Sequence, residues 1–218
     1  VALERLGLPF DGVRVDRARG EHRGAAYRAL NPQGLIPVLE DGPLVLFETG
    51  AILLHLAERA GRLGPDGPPA DAPGARAAFL SWLFWLSNTL HADLRVAFHA
   101  DRHVGQAGRG ALGEGVARRI AGHLDLLEEV LGEGGLAGPA PTLLDDYLGA
   151  CLRWARLYPR AAPVLPEGIG RRPRIAGLLA RIEGDAAVLR ATAAESIPGA
   201  RPWTEPEPPA LPAAEVTG

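Results

Sequence analysis

Lysine and methionine are absent from this 218-residue chain, and cysteine occurs once. The lone thiol, Cys151, excludes an internal disulfide, a CxxC redox pair and a multi-cysteine metal centre, so no metal is expected and a reducing, cytoplasmic setting is. No apolar run approaches the length of a membrane-spanning helix, so no membrane partner is expected either. Neither sign of charge dominates. The 23 basic residues, all arginine, stand against 26 acidic ones for a net charge of −3, which leaves no electrostatic footprint for nucleic acid. The lack of methionine, with an opening at Val1 that already reads as helix, predicts a chain clipped at its N-terminus. What remains is an ordinary globular composition, 47% hydrophobic and 22% charged.

Val1 to Leu6 reads as the end of a helix stopped by Gly7-Leu8-Pro9, and Phe10 to Asp16 as a short strand with Val13 and Val15 in alternation. A short helix is expected over Ala25 to Leu30. Val38 to Leu46 reads as strand, tight turn, strand, and Thr49 to Gly61 as a helix with Ile52, Leu53, Leu56, Ala57 and Ala60 at helical spacing. The expected organisation is a first domain over 1–62, a Pro-, Gly- and Asp-rich linker over 63–74, an all-helical domain over 75–200 and a Pro-rich tail over 201–218. Within the helical part the spacing predicts one long helix from Ala75 to about Arg102. Further helices follow over Ala111 to Leu131, Leu143 to Leu157, Arg174 to Ile182 and Ala186 to Ala194. A first domain of this kind needs one more strand, before Val1, to complete its sheet.

Two short motifs carry the chemistry. In Asn31-Pro32-Gln33-Gly34-Leu35-Ile36-Pro37, a proline after an apolar residue and before a strand is either a cis bond in a tight turn or a trans residue starting the strand. A cis bond would present the N–H and C=O of Ile36 to an extended peptide, as in strand addition. In Phe47-Glu48-Thr49-Gly50-Ala51-Ile52, Glu48 offers a carboxylate to an ammonium, and Thr49 offers a hydroxyl beside the free N–H groups of a helix start. Together they suit a zwitterionic amino-acid head group; the plainer alternative makes Thr49 an N-cap only. A hairpin of two short strands fits between Pro37 and Glu48, which puts both motifs at one end of the sheet.

These motifs, with Val38-Leu39 and Thr142-Leu143-Leu144-Asp145, resemble the glutathione transferase superfamily over nearly the whole chain. The resemblance implies an α/β thioredoxin-like N-terminal domain, its first strand missing, and an all-α helical-bundle C-terminal domain. It implies glutathione as co-substrate or cofactor, held by Ile36, Pro37, Glu48, Thr49 and Gln33, and attack of its thiolate on a small apolar electrophile in detoxification. It also implies a homodimer. The catalytic Ser, Cys or Tyr would precede Val1. Leu35 stands where many members carry Lys or Gln for the glycyl carboxylate, so Gln33, His22 or Arg23 is expected to serve instead. The Asn31 to Leu35 stretch is similar to maleylacetoacetate isomerase-like members, which keeps a glutathione-dependent cis–trans isomerase open beside a non-catalytic binding module.

Asn88, His91, Arg95 and His99 form one polar stripe on the long helix, either a solvated face or a substrate wall. Leu90-His91 is similar to a pair that class beta members place near the glutathione sulfur. Phe79, Trp82, Phe84 and Trp85 fill the other faces as core or dimer contacts, with Trp85 also a candidate for the substrate wall. Thr142 and Asp145 form a capping box, a folding element. Gly108 to Gly113 matches a dinucleotide fingerprint but follows a helix, so it fails the context that motif needs. His99 and His103 lack a third ligand, and Cys151 reads as an inert core thiol.

Overall fold

The computed structural model describes residues 1–209. Helix α1 (Ala2–Leu6) ends on Gly7 in the left-handed conformation, and α2 is Ala25–Leu30. Strands β1 (Val38–Asp41) and β2 (Leu44–Phe47) pair antiparallel, Val38 opposite Phe47 and Asp41 opposite Leu44, across a Gly42-Pro43 turn. Helix α3 (Thr49–Ala60) follows and buries Leu53, Leu56 and Ala57, the positions its period selects. Asp41 at the end of β1 accepts from His55 at 2.8 Å and pairs with Arg59, which fastens the hairpin to α3.

The expected strand over Phe10 to Asp16 is not there. The segment is irregular and Val13 is 86% exposed. A strand exists only through its ladder, and among the described residues β1 and β2 pair with each other alone. Alternation of apolar residues wrote the pattern; no neighbour completes it.

The long helix also differs from expectation. It begins at Pro73, inside the expected linker, as α4 (Pro73–Trp85). It continues through one wide π turn at Leu86–Leu90 into α5 (His91–Phe98) and stops at His99, whose φ of −130° and ψ of 36° are not helical. The next helix, α6 (Ala100–Val130), starts eleven residues before the expected Ala111 and is broken at Gly105 (φ 66°). Gly108 to Gly113 lies inside it, away from any strand. The rest of the expected linker packs: Leu63 is 1% exposed, and its carbonyl accepts from the N–H of Leu143 at 2.9 Å.

Helix α7 (Leu143–Leu157) runs through the core, packed against α3, α4, α5 and α8 (Pro173–Gly184), with α9 (Ala186–Ala194) beyond. Its capping box is complete. Thr142 Oγ1 accepts from the N–H of Leu144 at 3.3 Å, and Asp145 Oδ2 accepts from the N–H of Thr142 at 2.7 Å. A Cβ at Gly149 would lie 2.6 Å from Ile182 Cδ1, so α7 and α8 approach closely there. The start of the Pro-rich tail is anchored rather than loose. Trp203 is buried, its indole N–H donates to Thr192 Oγ1 at 3.2 Å, and Arg153 and Arg156 donate to the carbonyls of Pro202 and Thr204. Residues 210–218 of that expected tail lie outside the described residues.

Candidate functional site

The loop from Asn31 to Pro37 is shaped from within. Asn31 is buried; its Oδ1 accepts from the N–H of Gln33 at 3.0 Å and its Nδ2 donates to the carbonyl of Leu35 at 2.7 Å. The Tyr27 hydroxyl donates to the same carbonyl at 3.1 Å. Gly34 has φ 63°, and a Cβ there would sit 2.6 Å from the carbonyl oxygen of His22, so only glycine lets the two loops approach. The Ile36–Pro37 bond is cis. Among the described residues neither the N–H nor the C=O of Ile36 is used in a hydrogen bond, so a backbone edge is left open.

Glu48 ends the hairpin and caps α3 with φ 72° and ψ 121°, left-handed territory that a residue with a Cβ rarely occupies. Its side chain is exposed and accepts from Gln33 Nε2 at 3.3 Å. Thr49 forms the first turn of α3, where N–H groups lack intrahelical partners. A hollow of about 370 Å³ brings together Gln33, Ile36, Pro37, Glu48 and Thr49, the residues expected to hold glutathione. His22 and Arg23 line the same hollow, on the side of Leu35.

A larger hollow of about 830 Å³ shares Glu48, Thr49, His91, Arg95, His99 and Arg102 with the first, so the two form one continuous cleft. Asn88, His91 and Arg95 of the polar stripe line it, as does Phe84, which is 59% exposed. Trp85 lines neither hollow. It stacks edge-on with Trp82 and His123, centroids 5.4 and 5.5 Å away, while Asn88, His91 and Arg95 line the cleft.

His91 is more than a solvated stripe residue. Its Nδ1 lies 2.7 Å from the hydroxyl of Tyr147 on α7, and its ring packs on Trp154 with centroids 5.4 Å apart. Burial lowers the His91 pKa, and Arg95 lowers it further, so the imidazole stays neutral at neutral pH. Where the hydroxyl donates to Nδ1, Nε2 carries the proton and is itself a donor. Burial raises the Tyr147 phenol, which stays protonated. Cys151 is fully buried with its thiol pushed up, so it supplies no thiolate. Among the described residues no group of three or more His, Cys, Asp or Glu is arranged to hold a metal, and no helix is long and apolar enough to cross a membrane.

The sequence left three groups out of the site: Tyr147, Arg102 and the pair Arg17, in a turn, and Arg28, on α2. Arg102 was within reach, since positions 88, 91, 95, 99 and 102 continue one helical period. Tyr147 carried no such signal, being one more large residue in an apolar helix.

The glutathione S-transferase N-terminal domain family matches residues 1–59. Glutathione S-transferase 3 of Zea mays is 33% identical over 202 residues, 90% of this chain and 87% of that protein. Among solved structures, a glutathione transferase homolog from Sulfitobacter with bound glutathione is 26% identical, with a TM-score of 0.70 over 89% of this chain and 90% of that one. A glutathione S-transferase from Xylella fastidiosa, 22% identical, shares the fold with a TM-score of 0.75 over 89% of this chain and 91% of that one.

Proposed function

The chain belongs to the glutathione S-transferase family, and from that premise we propose that it binds glutathione in the smaller hollow and transfers its thiolate to an electrophile seated in the larger one. Its fold is thioredoxin-like at the N-terminal end, followed by a helical C-terminal part. In this reading residues 1–62 hold glutathione, 63–74 connect, and 75–200 supply the second wall. The open backbone edge of Ile36, beside cis-Pro37, pairs with the cysteinyl unit. Glu48 takes the γ-glutamyl ammonium and the start of α3 at Thr49 takes its carboxylate. Gln33, His22 and Arg23 face the glycyl end, where Leu35 offers no charge. The observation that carries the reading is the convergence of Ile36, Glu48 and Thr49 on one hollow that opens into another.

A free thiol with a pKa near 8.5 is only a few per cent ionised at neutral pH; lowering it by about two units takes roughly 2.7 kcal/mol of differential stabilisation. The neutral His91 N–H and the positive field of Arg95 supply part of it in this reading. A two-fold homodimer with α4 near its interface belongs to the same proposal, supported by the exposed apolar pair Leu44 and Val45 on β2. A cytoplasmic location fits the single buried thiol.

Calorimetry tests the binding half. Glutathione is expected to bind, and Glu48→Ala to weaken it about tenfold, the worth of one charge-assisted contact. No binding, or affinity untouched by Glu48→Ala, overturns the proposal. Steady-state assays of aryl-halide conjugation beside cis–trans isomerisation then separate transferase from isomerase.

A further inference from the structure

The charge in the cleft runs against the charge of the chain. Across a molecule of net −3, the two joined hollows are lined by five arginines, Arg17, Arg23, Arg28, Arg95 and Arg102, and by four histidines, against one carboxylate, Glu48. Seven other arginines sit within 4.0 Å of a carboxylate. None of these five does among the described residues. The cleft therefore gathers five guanidinium groups around a single lining carboxylate.

Glutathione accounts for only part of this. In the reading above it brings two carboxylates and one ammonium: the ammonium to Glu48, one carboxylate to the start of α3 and the glycyl carboxylate to the side of Gln33, His22 and Arg23; Arg17, Arg23 and Arg28 line the smaller hollow alone. Arg95 and Arg102 line both hollows, with His99 between them and His103 in the larger one only. Burial lowers the His99 pKa, and Arg102 lowers it further; Asp101 opposes this, and Arg95 and Arg17 add to the lowering. Ala51, Leu54, Leu83, Phe84 and Val96 add apolar surface to the lining of the larger hollow. An all-apolar substrate would leave Arg95 and Arg102 with water as their only partner.

Resting on the glutathione reading above, we propose that the second substrate is an amphiphilic organic acid, whose apolar body lies on the Leu54 and Phe84 side and whose carboxylate is held by Arg95 and Arg102. This replaces the apolar electrophile expected from family resemblance with a charged one. Guanidinium suits the role because its planar fork matches a carboxylate and stays charged at every working pH.

Binding of product-like conjugates to the full chain tests this without requiring turnover. S-(4-carboxybenzyl)glutathione and S-(4-carbamoylbenzyl)glutathione are equal in shape and differ in charge. By calorimetry at low salt the carboxylate is expected to bind about tenfold more tightly, with the gap shrinking at high salt. The double variant Arg95→Gln/Arg102→Gln should close most of that gap. Equal affinity for the two conjugates in the unaltered chain overturns the proposal, as does a gap that survives the double variant. Equal weakening of free glutathione by the double variant assigns the arginines to glutathione and overturns it too. Absence of binding by glutathione and by both conjugates removes the underlying reading along with this one, an outcome distinct from the other three.

Discussion

The start of α7 and the cleft wall from Arg95 to Gly105 treat polar groups in opposite ways. Around α7, Thr142, Asp145, Asp146 and Arg153 are buried, and each has a partner within the fold. Along the cleft wall the helix breaks at His99 and again at Gly105, Arg95 and Arg102 are exposed without carboxylates, and Glu48 opposite holds a left-handed backbone. Buried polar groups must find partners within the fold, whereas the exposed groups of the cleft wall are left to water and to the ligand of the proposed function.

The sharpest way to break this contrast is to strip one partner from each region. Arg5 on α1 pairs with Asp146 on α7 at 2.7 Å, both nearly buried, and with Asp185 at 2.8 Å, so it ties the two ends of the molecule together. Arg5→Met should cost about 3 kcal/mol at pH 8 in urea denaturation, whereas Arg102→Gln should stay within about 0.5 kcal/mol. Equal losses would erase the distinction.

The same pair has a pH signature. Burial, opposed by Arg5, pushes the Asp146 carboxyl up to about 7, above its unfolded value of about 3.9. A raised folded pKa means that its contribution to stability is complete below about pH 4 and is lost as pH rises through about 7. The unaltered chain should therefore lose stability between pH 5 and pH 8 relative to Asp146→Asn. A flat difference across that range would show the carboxyl to be ionised throughout.

Asp145→Ala should come next, at about 2 kcal/mol, because its carboxylate accepts from the N–H groups of both Thr142 and Leu136 and truncation leaves buried donors unpaired. The smallest expected effect has the opposite sign. Glu48→Gly relieves a φ of 72° and should raise unfolding stability by about 1 kcal/mol while weakening calorimetric glutathione binding about tenfold. A loss of stability there would mean that the backbone is not strained.

Local patterns were legible where the relevant partners are near in sequence. The capping box at Thr142 and Asp145 closes over three residues, and the β1–β2 hairpin over four, so both appear as written. Phe10 to Asp16 shows the limit, since a strand needs a distant neighbour that periodicity cannot supply. Ala75 to Arg102 shows another: apolar spacing runs smoothly through Leu86, Leu90 and Leu94, and nothing in it marks the π turn or the break at His99. Of the candidate site, Gln33, Ile36, Pro37, Glu48 and Thr49 stand together as their motifs suggested. Trp85 packs instead against Trp82 and His123, a contact between side chains that spacing does not show.

By itself the sequence determined the helices with strong periods, the hairpin, the two motifs that flank it and the family to which they belong. These depend on backbone preferences and spacings that act over a few residues. Tertiary structure alone decided which charges meet. Arg5 finds Asp146 across 141 positions, and Arg17, Arg95 and Arg102 converge from three segments on one cleft that Glu48 also lines. Electrostatic interaction depends on distance and burial after folding, and neither is written in the order of residues along the chain.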